Sequence, residues 1–216
     1  MFSVVGALVS TGASVVLWSR HAHHHLHHEY TWTWLVVNGH PMVDFGILLD
    51  GTSMSMLLVV GIVATCVQMY SREYMRGESD VDFGRYFAFH SLFLFSMVAL
   101  VVAPNLLQLF VAWELVGLCS YLLIGFYYKK ASAARAALKA FWMTKLADLG
   151  FLIALVAMYV SAGSFGWDAA TVDRLLLSGA APLVAGGLFL AVMGKSAQFP
   201  LHIWLPDAME GPTPVS

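Results

Sequence analysis

Charge is what this sequence has least of. Only 11% of its 216 residues are Asp, Glu, Lys or Arg, against about 25% in an ordinary soluble domain. Hydrophobic residues make up 59% and the mean hydropathy is +0.74, so composition alone indicates a chain that lives in lipid. The net charge of −2 says nothing about nucleic acid, but no basic patch of the needed density exists, so none is expected as a partner. Cysteine is equally scarce: Cys66 and Cys119 are the two present, each inside an apolar run. They are expected to be small buried hydrophobes, not a disulfide or a metal site. The first apolar run has neither a basic leader nor an A-x-A-like exit, so no cleavable signal is expected. No internal repeat stands out.

What is abundant is long apolar runs. A membrane-spanning helix takes about 20 mostly apolar residues. Six segments qualify: Phe2–Ser19, Gly46–Tyr70, Tyr86–Ala103, Asn105–Tyr128, Arg135–Val160 and Ala180–Phe199. Lipid offers the backbone no hydrogen-bond partners, so each segment must satisfy its own and is expected to be helical. The pattern predicts an all-α integral membrane protein, one membrane domain over residues 1–216, with the third and fourth spans parted only by Pro104-Asn105. Arg72, Arg76, Arg85, Lys129, Lys130 and Arg135 fall on one side of the membrane, and only Arg20 and Arg174 on the other. The richer side is expected to be cytoplasmic, which places the N-terminus inside.

Residues 20–45 then form an external connection. "YTWTWLVV" (Tyr30–Val37) followed by "NGH" (Asn38–His40) suggests a short hairpin there. The preceding "HAHHHLHHEY" (His21–Tyr30) reads either as a metal- or pH-sensing tract or as a solvated loop. The loop is favoured because no carboxylate or cysteine scaffold fixes a geometry. Trp32, Trp34, Trp113 and Trp204 are expected to anchor at the interface or pack helices.

Ionisable residues inside a span are costly, about 2.5–3.5 kcal/mol each, and their default meaning is functional. Four lie near mid-depth: Glu114 in the fourth span, Lys145 and Asp148 in the fifth, Lys195 in the sixth. Similar depth on three helices suggests one polar layer. Lys145 and Asp148 are three residues apart and share a helix face, so they are either a self-neutralised fastener or part of a relay. Glu114 and Lys195 have no charged neighbour on their own helices, so each is the other's expected partner. Buried groups without a partner tend to the neutral form, and a carboxylate that approaches and withdraws from an amine controls whether the amine holds a proton. A static salt bridge is the alternative.

Pro200 removes an N–H and crowds the carbonyl of Ser196, so the sixth helix is expected to break near Pro200. Interrupted helices at membrane depth recur at transporter ion sites. Ser196, Gln198 and His202 are expected to hold water around the break, with His202 a further relay candidate. "LPDAMEGPTPVS" (Leu205–Ser216) forms another irregular polar segment.

Three stretches, "WELVGLCSYLLIGFYY" (Trp113–Tyr128), "KAFWMTKLADLGF" (Lys139–Phe151) and "GKSAQFPLHIWLPDAMEGPTPVS" (Gly194–Ser216), resemble the antiporter-like membrane subunits of proton-pumping NADH:quinone oxidoreductase, respiratory complex I. The type is subunit L, whose mitochondrial counterpart is subunit 5. "LLDGTSMSMLLVV" (Leu48–Val60) and "YSREYMRGE" (Tyr70–Glu78) extend the likeness, which covers most of residues 30–216 and leaves out the histidine run. The resemblance implies a partial antiporter-like bundle and a proton-translocating role in the plasma (inner) membrane. Glu114 and Lys195 would be the paired relay residues and Lys145 and Asp148 their neighbours. It implies no cofactor in this chain: NADH, FMN, iron–sulfur clusters and quinone belong to partner subunits. Mrp-type sodium/proton antiporters, energy-converting hydrogenases and inorganic-carbon pumps share the motifs. The family's subunit has a first helix that this chain lacks and continues beyond "PTPVS", so a fragment, a split gene product or a truncation is expected, and a non-conducting scaffold remains a third reading.

Overall fold

The computed structural model describes residues 2–24, 27–37 and 40–216. Helix α1 (Phe2–His24) leads into strands β1 (His28–Val37) and β2 (His40–Leu49). Then come α2 (Gly51–Tyr74), α3 (Asp80–Val101), α4 (Leu106–Ile124), α5 (Ala131–Ala162), α6 (Ala169–Leu177) and α7 (Ala181–Lys195). Among the described residues, five helices are long and apolar enough to cross a membrane. α6 and α7 qualify together as a sixth segment bent by 110°. The protein is therefore a multi-pass, predominantly helical membrane protein.

Helix starts are written in the sequence. Asp50 accepts a hydrogen bond from the Ser53 amide while the Ser53 hydroxyl accepts one from the Asp50 amide, a reciprocal cap that opens α2 and satisfies two otherwise orphaned donors. Ser79, Asn105 and Asp168 cap α3, α4 and α6 in the same one-way manner, each accepting from the amide three residues on. The second span thus begins at Gly51, not at residue 46. The apolar residues 46–49 belong to β2, because an apolar run of this length has no periodicity to separate strand from helix.

β1 and β2 pair antiparallel, with Trp32 opposite Phe45 and Tyr30 opposite Ile47. The hairpin therefore reaches four residues past residue 45. Asn38 and Gly39, where its turn was expected, lie outside the described residues. Residues 21–24 of the histidine run continue α1 instead of forming a loop. Among the described residues no group of His, Cys, Asp and Glu is placed to hold a metal.

The ribbon is clipped to the start of α4. The Gly46 amide donates to Gln108 Oε1 at 2.9 Å, and Gln108 Nε2 donates to the Gly46 carbonyl at 2.8 Å. Asn105 Nδ2 donates to the Asp44 carbonyl at 2.7 Å. Any Cβ at Gly46 would collide with the Tyr30 carbonyl and with Thr31, which explains glycine here. Gln108→Leu strands a buried N–H and a buried C=O, at about 1–3 kcal/mol each. The expected result is faster amide exchange across residues 44–48 with the helices unaffected; unchanged protection would contradict this anchoring role.

The sixth span is interrupted near Pro200 as expected, but its helix ends before residue 199. α7 stops at Lys195, five residues before Pro200. The chain turns at Ala197, whose φ of 51° is left-handed, and the carbonyls freed by the end of the helix are taken locally: Trp204 Nε1 donates to the Gly194 carbonyl at 3.1 Å and the Gln198 amide to that of Met193 at 2.9 Å. The helix thus ends just before the carbonyl that Pro200 would crowd.

α5 and α7 pack closely. Gly150 and Gly187 face each other so tightly that a Cβ on Gly187 would strike the Gly150 carbonyl. A Cβ on Gly194 would strike Ala147 Cβ. Small residues at helix interfaces are the usual way membrane helices approach. Around this contact lie Phe151, Ala154, Leu155, Met158, Val184 and Ala191.

Candidate functional site

All four mid-membrane charges gather where α4, α5 and α7 meet. Trp113 and Glu114 are consecutive on α4, Lys145 and Asp148 share one face of α5, and Lys195 occupies the last turn of α7. There its ammonium stands at the negative end of the helix dipole.

Glu114 Oε2 and Lys145 Nζ form an ion pair, each side chain about one quarter exposed. Lys145 also lies over the Phe141 ring, 5.3 Å from its centroid. Asp148, 3% exposed, accepts a hydrogen bond at Oδ1 from Trp113 Nε1 at 2.6 Å. Its Oδ2 is buried and makes no hydrogen bond among the described residues. Lys195 Nζ donates to the Trp113 carbonyl at 3.0 Å and sits over the same indole at 4.9 Å. A Cβ on Gly117, one turn further along α4, would come within 2.9 Å of Lys195 Nζ, so glycine makes room for the ammonium.

The pairing therefore departs from the one expected. Glu114 pairs with Lys145, and Lys195 is held by Trp113. The reason is azimuthal. Glu114, Lys145 and Asp148 line one cleft of about 400 Å³ with Phe110 and Phe141. Lys195 lines a separate cavity of about 200 Å³ with Gly117, Ser120, Thr144 and Trp204. Lys145 and Asp148 share a face as expected, but no ion pair joins them among the described residues: each reaches a different partner on α4. His202 is exposed, lies tilted against Phe199 with ring centroids 5.7 Å apart, and lines neither space.

Trp113 is the residue that sequence reasoning undervalued. Expected as an anchor or packing group, it touches Asp148 through its N–H and Lys195 through both its ring and its carbonyl, and its chain neighbour holds Lys145. The signal was present in the sequence as a tryptophan directly before a mid-membrane glutamate. Phe141 lines both the cleft and the cavity and separates them. The arrangement holds two carboxylates and two amines within one layer, linked through a single indole, with an ion pair at one end and a lone ammonium at the other. Such a layer can pass a proton between its members and bias each one's charge by the state of the next.

Residues 103–216 match the family model described as "NADH:quinone oxidoreductase/Mrp antiporter, TM". Residues 34–87 match that described as "NADH-Ubiquinone oxidoreductase (complex I), chain 5 N-terminus". The chain is 51% identical over 175 residues to NADH-quinone oxidoreductase subunit L of Campylobacter jejuni, covering 81% of this chain and 29% of that protein. It is 45% identical over 196 residues to the chloroplastic NAD(P)H-quinone oxidoreductase subunit 5 of Anthoceros angustus, covering 88% of this chain and 26% of the other. Among solved structures, the Mrp complex from Dietzia sp. DQ12-45-1b superposes with a TM-score of 0.85 at 29% identity, over 100% of this chain and 23% of that one. The membrane-bound sulfane sulfur reductase, an archaeal respiratory membrane complex, shares the fold at 20% identity and a TM-score of 0.76, over 99% of this chain and 43% of that one. The chain spans about a quarter of the length of the curated relatives it matches.

Proposed function

The chain belongs to the NADH:quinone oxidoreductase/Mrp antiporter membrane family, whose model matches more than half of its residues, and from that premise we propose that it is part of a proton-translocating membrane subunit of an NADH:quinone oxidoreductase. Quinone reduction in partner subunits, which carry NADH, FMN, iron–sulfur clusters and quinone, drives it. It sits in the plasma (inner) membrane with its N-terminus in the cytoplasm, on the side rich in Arg and Lys.

One observation carries this reading: the convergence of Glu114, Lys145, Asp148 and Lys195 about Trp113. Charges inside lipid need a reason, and the two amines are poised differently. Lys145 is neutralised by Glu114. Lys195 forms no ion pair among the described residues: the Trp113 carbonyl and ring face, the end of the α7 dipole and the more distant Asp148 carboxylate stabilise its charge. If Lys145 gives up Glu114, or if Asp148 takes a proton, the field at Lys195 changes through Trp113, and Lys195 keeps or releases its proton accordingly. Glu114 and Lys145 act as the control pair, Asp148 as the intermediate acceptor, Lys195 as the proton carrier. His202 has no role in this layer.

The test is Glu114→Gln in the intact complex, measured as protons translocated per electron in membrane vesicles. The expected result is a lower ratio with electron transfer retained; an unchanged ratio would overturn the reading. The likeness to the Mrp complex supports a second reading, a sodium/proton antiporter subunit. Sodium-driven proton movement that is lost with Glu114→Gln, in the absence of any electron donor, would select it.

Trp113→Phe examines the link itself. It keeps the ring beneath Lys195 and removes the N–H to Asp148. Translocation is expected to fall while assembly stays normal. Wild-type translocation would reduce Trp113 to a packing residue.

A further inference from the structure

His90 is a buried ionisable residue that the layer about Trp113 does not use. It lies on α3, 6% exposed, with Nδ1 3.3 Å from Gln68 Nε2 on α2. An amide nitrogen only donates, so Nδ1 accepts and the ring carries its proton on Nε2. Gln68 is wholly buried, and its Oε1 accepts from Ser3 Oγ on α1 at 2.8 Å. Ser3 Oγ is in turn 2.7 Å from Ser91 Oγ on α3. A continuous chain of polar side chains thus crosses three helices. It lies toward the membrane end where α1 begins and α2 finishes, with Arg72 in the last turn of α2 and Arg76 just beyond it.

His90 opens onto a cleft of about 510 Å³ between α2, α3, α4 and the segment after α7. Phe93, Ser120, Ile124 and Trp204 line this cleft and also the cavity that holds Lys195. The two spaces adjoin, with the Ser120 hydroxyl and the Trp204 indole at their boundary. The cleft wall is otherwise largely apolar, which suits a passage that conducts only when water enters and closes by drying. A chain meant only to fasten helices has no need of an ionisable member. Interhelical hydrogen bonds in membranes average about 0.6 kcal/mol whichever polar side chain supplies them.

We propose that Ser3, Ser91, Gln68 and His90 form a second proton-carrying branch that supplies Lys195 from the membrane end bearing Arg72 and Arg76. The proposal rests on the relay reading above. As the Gln68 side chain swings aside, a water between Ser3 and the ring gives a proton to His90 Nδ1 and recovers one through the Ser3 and Ser91 hydroxyls from water at that membrane end. The proton on Nε2 leaves to water in the cleft and from there reaches the Lys195 amine. The ring then turns from Gln68, exchanges its Nδ1 proton for one on Nε2 through cleft water and turns back, ready for the next proton; no electron moves.

The experiment is His90→Gln in the assembled complex, with protons translocated per electron and proton-transfer rate measured in vesicles. Glutamine keeps an acceptor for Gln68 but cannot shuttle a proton, so the rate is expected to fall about a hundredfold, the lower end of the range for loss of a proton-transferring group, with electron transfer and assembly retained. A wild-type rate overturns the branch. Lys195→Ala, assayed in parallel, separates the two ideas: wild-type translocation there overturns the relay itself, whereas its loss beside a normal His90→Gln overturns only the branch. If His90→Gln fails to accumulate, Ser3→Ala decides, since Ser3 is half-buried at the outer end of the chain; a slowed rate supports the branch and a wild-type rate overturns it.

Discussion

Lys145→Ala in the assembled complex is expected to lower both the thermal stability of the subunit and its proton translocation, and adding Glu114→Gln is expected to restore most of the first without the second. The single substitution leaves the Glu114 carboxylate in a cleft walled by Phe110 and Phe141 without its counter-charge. Breaking a buried pair from one side costs about 3–5 kcal/mol. The quarter exposure of this pair places the cost at the lower end of that range. Removing both charges at once is a different matter, because no stranded carboxylate is then left in the cleft; replacing a buried ion pair with well-packed apolar groups of similar volume is often neutral or better for stability. A glutamine–alanine pair lacks the packing of the Lys145 stem, so it should recover most, not all, of the lost stability. It holds no charge to bias Asp148 and Lys195 through Trp113, so translocation stays low. Thermal-shift measurements on the purified complex and protons per electron in vesicles read the two effects separately. A double variant that pumps normally would reduce the ion pair to a helix fastener.

Gly187→Leu is expected to prevent α7 from docking on α5, with loss of the assembled subunit from the membrane. Its Cβ would fall on the Gly150 carbonyl and within 3.1 Å of Ala154 Cβ. Backbone cannot swing aside as the tip of a side chain can. Overpacking costs about 1–3 kcal/mol and sometimes more, and a leucine wedged against a facing backbone belongs at or beyond the top of that range. Lys195 rides on α7 and reaches α4 only because α7 lies this close to α5. Partial assembly would therefore still separate Lys195 from Trp113. Gly186 supplies the control on the same helix, because a Cβ there meets nothing within 4 Å. Gly186→Leu should accumulate normally. Equal accumulation of both variants would remove the close approach from the account.

Much of this architecture was legible in residue order. Pro104-Asn105 marked the turn between α3 and α4, and Asn105 proves to be the cap of α4. The apolar runs gave the spans, and the three long motifs gave the family. Residues 46–49 were misread because four apolar residues beside a helix carry no period of their own; the Asp50–Ser53 cap was the signal that the helix starts later. α6 escaped notice because its nine residues are too few for a span and its cap was the only sign of a start. The four charged residues were identifiable from depth alone. Their partners were not, since spacing of three along α5 shows that Lys145 and Asp148 share a face but not which neighbour that face meets. That depends on how each helix is rotated in the bundle, which the glycine contacts between α5 and α7 set and no single segment encodes.

The clip between the ribbon and α4 has a mechanical outcome. Gln108 grips Gly46 at one end of α4, and Trp113 stands five residues along the same rigid helix, about 7.5 Å at about 1.5 Å per residue. A neighbour that leans on the ribbon from outside the bilayer thus pulls on the shaft that carries the indole. A shift of about an ångström there would be comparable with the slack in a hydrogen bond, so a push delivered at the ribbon would reach the charged layer as a change in which contacts remain closed.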